Sequence, residues 1–402
     1  MWYYYNMEVI KIRDKIDELL TRGVDRIYPS KEALEQILRS GKKIKLYQGF
    51  DPTGAKLHIG HMVGFRKHRQ WQDLGHEVIF LIGDGTGEAG DPTGKKKTRE
   101  KFFTSEELRE NAKGYLAQAS KVVRFDGPNP IKIMYNGDWL NKLTKTDILN
   151  IAEHFSLQQL LERDMFQERM KAGEEINMRE FLYPLLQGYD SVAMEVDLEL
   201  GGSDQTFNML CGRKLLKIMK GKDKFVMTTP LLADSKGVKI GKSEGNVIGL
   251  TDEPNDLFGK IMSLGDEAII PMFTLLTDTP LTEIDSFDLK KDPMALKKRV
   301  ARIIVSSLHS EAAAEEAENN FSNTFQKRQI PGETEEIKGQ GGLGATLVSK
   351  KIVASLSEWR RLVLEGAVKK LGEKKEEKIT DFKIVASPGV YKIGKHRFVK
   401  IK

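Results

Sequence analysis

Two short segments carry the residues with the most chemical reach. His58-Ile59-Gly60-His61 follows a strand-like run at 43–50 and the link Asp51-Pro52-Thr53-Gly54, and it opens a helix that runs on to Asp73. Both imidazoles and Gly60 therefore fall at a helix N-terminus, where unpaired amides and the positive end of the helix dipole favour phosphate. Two imidazole donors three residues apart can reach the same phosphate oxygens, and Gly60 has no side chain to hold a flat adenine or a ribose off the backbone. About 180 residues on, Lys239-Ile240-Gly241-Lys242-Ser243 is a loop rich in Lys, with one Gly, suited to closing over a triphosphate. Alone, an H-x-x-H on a helix is as readily a surface pair and a K-x-x-K-S a solvated turn. In this order, each after a strand-like run, the two together are far more specific than either half.

A third set of polar residues lies on a helix expected at 177–194. Tyr183, Gln187 and Asp190 stand at i, i+4 and i+7, on one face spanning about 10 Å, among Phe181, Leu182, Leu185, Leu186 and Val192. A polar stripe in an apolar segment either meets water or, if buried, needs a hydrogen-bonding partner, and an amino acid could be that partner. Gly85-Thr86-Gly87-Glu88-Ala89-Gly90 also satisfies G-x-G-x-x-G, the dinucleotide fingerprint. It follows the second expected strand rather than the first, is succeeded by Pro92 and three lysines, and lacks an acid at the end of a following strand, so it is discounted.

The elements that must position these groups alternate. Strand-like runs at 43–50, 77–84, 131–135 and 196–200 are interleaved with helical patterns, which predicts an α/β fold with a parallel sheet. Residues 155–170 read as one amphipathic helix. Past Gly249 the pattern is helical at 255–264, 269–276 and 294–321, which predicts a separate helical domain. Residues 326–344, rich in Gly, Glu and Lys, read as a linker. Beyond it come a short basic helix around 357–363 and an alternating stretch, 390–401, that reads as a hairpin about Gly394-Lys395.

Composition bounds the class. The 402 residues are 40% hydrophobic and 30% charged, enough for two or three domains with a sizeable core, and no apolar run approaches the roughly 20 residues needed to span a bilayer. Met1-Trp2-Tyr3-Tyr4-Tyr5-Asn6 lacks the layout of a signal peptide and reads as an untidy start ahead of Met7. The single cysteine, Cys211, excludes an internal disulfide framework and Cys-based zinc sites, so a reducing cytoplasm is expected. Residues 341–402 hold 15 Lys and Arg against 6 Asp and Glu, a net +9 that leaves −3 for residues 1–340. A basic end on a weakly acidic body is an electrostatic footprint for nucleic acid.

The two opening segments resemble the paired signature sequences of class I aminoacyl-tRNA synthetases, which bind ATP. Taken with Tyr47-Gln48-Gly49-Phe50-Asp51-Pro52-Thr53, the Tyr183, Gln187 and Asp190 stripe, and Gly201-Gly202-Ser203-Asp204-Gln205, the chain resembles bacterial tyrosyl-tRNA synthetases from about residue 20 to 330. A weaker likeness at the C-terminus is to the small S4-like RNA-binding domain of that family. The resemblance implies a Rossmann-type catalytic domain over 1–250, an α-helical anticodon-binding domain over 251–325, the linker at 326–344, and an S4-like α+β domain over 345–402.

Carried over residue by residue, it implies that Tyr47 and Asp190 meet the phenolic hydroxyl of L-tyrosine, while Asp91, Tyr183 and Gln187 hold its ammonium. Gly49, Asp51, Gly60, Gly202, Asp204 and Gln205 would line the adenylate, with Asp204 accepting from ribose hydroxyls and Gln205 counted also with the amino-acid set. His58 and His61 would stabilise charge as the carboxylate attacks the α-phosphate, Lys95, Arg99, Lys239 and Lys242 would engage the leaving pyrophosphate, and Ser243 would belong to the ATP-binding set. No side chain acts as nucleophile. ATP is a substrate, Mg2+ arrives with it, and the acyl group passes to the 3′-terminal ribose of tRNA(Tyr). A homodimer is expected, with no membrane association. A tryptophan-specific ligase and a catalytically idle RNA-binding relative are the rival readings. Ile240-Gly241 depart from the commoner Met-Ser, Thr206-Phe207 match a subgroup with a compact C-terminal region, and Glu88 has no evident role.

Overall fold

The computed structural model describes residues 9–10, 13–54, 56–95, 97, 102–233, 242–243, 246–323, 335–339, 341–371, 376–394 and 397–402. The chain divides into two compact units, Met1–Glu315 and Glu316–Lys402. The first is built on six strands: β1 (Arg26–Tyr28), β2 (Lys45–Phe50), β3 (Glu77–Ile82), β4 (Lys132–Tyr135), β5 (Leu198–Gly202) and β6 (Phe225–Thr229). Their order is β1-β6-β5-β2-β3-β4, parallel except where β1 runs antiparallel to β6. Val78 to Ile82 of β3 are all buried, the unbroken apolar run of a strand covered on both faces.

The chain lays β3 and β4 to one side of β2, then crosses over to place β5 and β6 on the other. The order thus reverses between β2 and β5, and in such sheets the ligand crevice lies outside the carboxyl ends of the strands at that reversal. Asp51 follows β2 and Ser203-Asp204-Gln205 follow β5, so both segments flank the crevice by topology alone.

The four strand-like runs appear as β2 to β5, with ends shifted by up to two residues. β1 and β6 are additions. β1 has three residues and no apolar run, and it exists because Thr228 Oγ1 and the ladder of β6 pair with it. The helix expected at 155–170 is two, Leu157–Leu161 and Asp164–Ala172, because Arg163 takes an extended conformation (φ −64°, ψ 130°) and lays its guanidinium 4.8 Å over the Phe207 ring. The one expected at 294–321 likewise breaks at His309 into Pro293–Leu308 and Glu311–Phe321.

The helices after Leu250 do not stand apart. Arg22 donates to the carbonyls of Phe273, Thr274 and Thr277 at the end of helix Ile269–Leu276, and the helices from Pro254 to Leu308 belong to the first unit. In sequence between β6 and helix Pro254–Met262 comes a small hairpin, β7 (Lys242–Ser243) and β8 (Asn246–Val247).

The second unit holds β9 (Glu335–Ile337), β10 (Val368–Leu371), β11 (Glu376–Lys378), β12 (Gly389–Ile393) and β13 (Arg397–Ile401), in the order β11-β10-β12-β13-β9. Helices Leu343–Ser349 and Leu356–Leu364 accompany them. Trp359, Leu343, Tyr391 and Val399 anchor its own core. β12 and β13 are the expected hairpin, with Gly394 at φ +68°. β9 corrects the linker reading: within 326–344, Glu335–Ile337 pairs in parallel with β13. A three-residue strand with two glutamates leaves no trace in composition.

Candidate active site

His58 is the N-cap of helix Ile59–Asp73, and a reciprocal capping box closes it. His58 Nδ1 accepts from the Gly60 amide at 3.1 Å, and His61 Nδ1 accepts from the His58 amide at 3.2 Å. A neutral imidazole that accepts at Nδ1 carries its proton on Nε2, so each ring is set as an Nε2 donor, with ring centroids 4.1 Å apart. Gly60 has a second purpose besides room for a ligand: a Cβ there would lie 2.9 Å from the His58 ring. The histidine segment pairs through backbone with residues 248–250, downstream of the second signature. Ile59 N donates to Ile248 O, Leu250 N donates to Leu57 O, and His58 bridges Gly249, which tethers the segment after the β7–β8 hairpin to the histidine turn. Lys242 and Ser243 form β7. Lys239 and Arg99 lie outside the described residues.

A cleft of about 530 Å³ opens at the sheet reversal, and its walls bring together Gly49, Asp51, His58, Gly60, His61, Asp91, Lys95, Tyr183, Gln187, Gly202, Asp204 and Gln205. Their hydrogen bonds interlock. Tyr183 Oη donates to Asp51 Oδ2 at 2.9 Å, and Thr86 Oγ1 donates to Asp51 Oδ1 at 2.7 Å. Gln205 Nε2 donates to Asp91 Oδ2 at 2.8 Å. Close approach of Asp51 requires glycine at 83, where a Cβ would stand 1.9 Å from Asp51 Oδ1. Burial, helped by Asp51 and Asp91, raises the Tyr183 hydroxyl well above the usual tyrosine range and keeps it a neutral donor.

Tyr47 and Asp190 are 0% and 1% exposed, shielded from water rather than open at the cleft wall. The Tyr47 hydroxyl and Ser191 Oγ are 2.9 Å apart, joining β2 to helix Met178–Met194 one residue from Asp190. Trp139 Nε1 and Asn136 Nδ2 donate to the Asp190 carboxylate at 2.8 and 3.1 Å. Burial raises that carboxyl well above the usual range, against the pull of those two donors. Asn136, Trp139, Ser191, Glu199 and Lys224 escape a motif reading. Asn136 and Trp139 follow β4 directly, and position at a strand's carboxyl end was the available signal for them.

The G-x-G-x-x-G segment is built for packing. Its Gly85 and Thr86 amides donate to Asn136 Oδ1, and a Cβ at Gly87 would stand 2.8 Å from Leu108. Glu88 gains a role, since its Oε1 accepts from the Ser105 amide at 3.0 Å and caps the first turn of helix Ser105–Ala119. Among the described residues no group of three or more His, Cys, Asp or Glu side chains is placed to hold a metal, and no described helix is long and apolar enough to cross a membrane.

A parallel sheet with a histidine-capped helix at its reversal and a tethered lysine hairpin defines a class I aminoacyl-tRNA synthetase. Residues 39–326 match the family model described as tRNA synthetases class I (W and Y). The chain is 43% identical to a tyrosine-tRNA ligase of Mannheimia succiniciproducens over 95% of this chain and 97% of that one, and 40% identical to one of Carboxydothermus hydrogenoformans over 96% and 97%. In fold it is similar to a C-terminally truncated mitochondrial tyrosyl-tRNA synthetase of Aspergillus nidulans, with TM-score 0.65, 23% identity, and coverage of 78% of this chain and 95% of that one. The tyrosyl-tRNA synthetase of Archaeoglobus fulgidus, solved with L-tyrosine, gives TM-score 0.60 at 21% identity, covering 77% and 100%. The chain belongs to the tyrosine-tRNA ligase family.

Proposed function

We propose that this chain activates L-tyrosine with ATP and passes it to tRNA(Tyr), with both substrates held in the cleft at the sheet reversal. The observation that carries the reading is the pairing, in one cleft, of an acidic and amide set (Asp51, Asp91, Gln187 and Gln205) with a histidine-capped helix N-terminus. An amino acid needs the first and a triphosphate the second.

The phenolic hydroxyl donates to Asp190 beside Tyr47, and the ammonium is taken by Asp91, Tyr183 and Gln187. Phenylalanine would offer Asp190 and Tyr47 no hydroxyl in exchange for the water its ring displaces, which penalises that competitor. Gly49, Asp51, Gly60, Gly202, Asp204 and Gln205 line the adenylate. As the carboxylate oxygen attacks the α-phosphorus and the bond to pyrophosphate breaks, His58 and His61 donate through Nε2 to the phosphate oxygens. Lys95, Arg99, Lys239 and Lys242 take the growing charge on pyrophosphate, and Ser243 belongs to the ATP-binding set. Catalysis is positioning plus electrostatic stabilisation, and magnesium enters as part of its substrate, MgATP.

The acyl group then moves to the 3′-terminal ribose of the tRNA. Exposed Lys350, Lys351, Arg360, Arg361 and Lys383 on the second unit support its reading as an S4-like RNA-binding domain, and the helices from Pro254 to Phe321 are assigned to the anticodon arm. Exposed Ile133, Ile148, Leu149 and Leu157 support a homodimer, and buried, unpaired Cys211 fits a cytoplasmic protein. The test is charging of tRNA(Tyr) with labelled tyrosine. Acid-stable attachment only in the presence of ATP is expected, and binding of the tRNA without any charging by folded protein would favour the idle relative.

A further inference from the structure

Two buried residues outside every motif dictate which way Gln187 faces. Glu199 on β5 and Lys224, just before the neighbouring β6, are each 1% exposed and form an ion pair. Lys224 Nζ also donates to Ser191 Oγ at 2.6 Å, the hydroxyl beside Tyr47. Glu199 is held by Lys224 through Oε2, and its Oε1 accepts from Gln187 Nε2 at 3.1 Å. A carboxylate only accepts, so Gln187 must turn its NH2 group toward Glu199 and its carbonyl oxygen away. That oxygen, Gln187 Oε1, is buried with no hydrogen-bond partner among the described residues, a state native structures rarely leave without a purpose. Gln187 and Glu199 both line the cleft.

We infer that the Glu199–Lys224 pair is a positioning device for the amino-acid site: by holding the amide nitrogen of Gln187, it presents the orphaned Oε1 as an acceptor for the ligand's ammonium. The inference rests on the tyrosine reading of the cleft. Lys224 supplies the counter-charge and selects the oxygen it holds. In Glu199→Gln, Lys224 keeps the new amide's oxygen and the new NH2 meets Gln187, which must then invert and present its own NH2 to a cation. Glu199→Leu/Lys224→Met removes both charges and leaves Gln187 unanchored, without stranding a buried ion.

The test measures KM for tyrosine and the inhibition constant of 3-(4-hydroxyphenyl)propionate, the same molecule without the amine, in pyrophosphate exchange by the full-length chain. In both variants KM for tyrosine is expected to rise about tenfold or more, with the inhibition constant unchanged. A role confined to core packing would weaken both ligands alike, or neither, and either result overturns the inference. If Glu199→Gln does not fold, the double variant is judged by the same criterion. A folded wild-type chain without tyrosine-dependent exchange would instead contradict the tyrosine reading itself.

Discussion

At the scale of single residues, the proposed specificity rests most heavily on Asp190. As the proposed buried acceptor for a phenol, it gives a direct expectation: Asp190→Asn raises KM for tyrosine about ten- to a hundredfold, the worth of one hydrogen bond to a charged group, while narrowing the margin over phenylalanine. The same residue sets a pH dependence. Because burial raises its carboxyl above the usual range, Asp190 takes a proton before ordinary carboxylates do as pH falls, and the neutral acid is a weaker acceptor for the substrate hydroxyl than the carboxylate. Tyrosine affinity should therefore decline on acidification through that range and level off above it, and the Asn variant should lose the dependence. A KM for tyrosine that is flat with pH in the wild type would refute this. Asp190, Gln187 and Tyr183 were legible because helical spacing alone puts them on one face. Glu199 and Lys224 were not, because β5 and β6 are adjacent only in the sheet and no motif or helical spacing links a residue of β5 to one just before β6.

Among the elements, the helix Ile59–Asp73 carries the proposed phosphate chemistry at one end and a buried polar liability in the middle. Gly60→Ala places a Cβ 2.9 Å from the His58 ring. Displacing that ring should lower kcat for exchange about ten- to a hundredfold with tyrosine affinity unchanged, as read by equilibrium binding. His68, further along, is fully buried with neither ring nitrogen partnered among the described residues, and burial lowers its pKa from 6.5 to about 3. The unfolded chain binds a proton there between about pH 6.5 and 3 and the folded chain does not, so stability falls as pH drops through that window, by on the order of 5 kcal/mol in all. His68→Leu should flatten that part of the acid-unfolding curve, and an unchanged curve would show that His68 is not its source. The helix was readable from its entry through Asp51-Pro52-Thr53-Gly54. The breaks at Arg163 and His309 were not, since apolar periodicity runs across both and tertiary contacts make the interruption.

For the whole molecule, the sheet order predicts the place of the cleft, and the division into units predicts how its two reactions separate. A chain ending at residue 323 keeps the sheet, the cleft and the helices of the first unit. It should retain pyrophosphate exchange within about twofold and lose at least about tenfold in tRNA charging, as expected where basic contacts dominate nucleic-acid affinity. Equal loss of both activities would contradict that assignment. The alternation of strands and helices made the parallel sheet legible, whereas β9 was hidden inside a stretch whose composition resembles a linker. The most direct test of the central claim is exchange of labelled pyrophosphate into ATP, without tRNA, with tyrosine, phenylalanine and tryptophan offered in parallel. Exchange with tyrosine and not the other two is the predicted result, and folded protein that exchanges with tryptophan, or with none of the three, would contradict it.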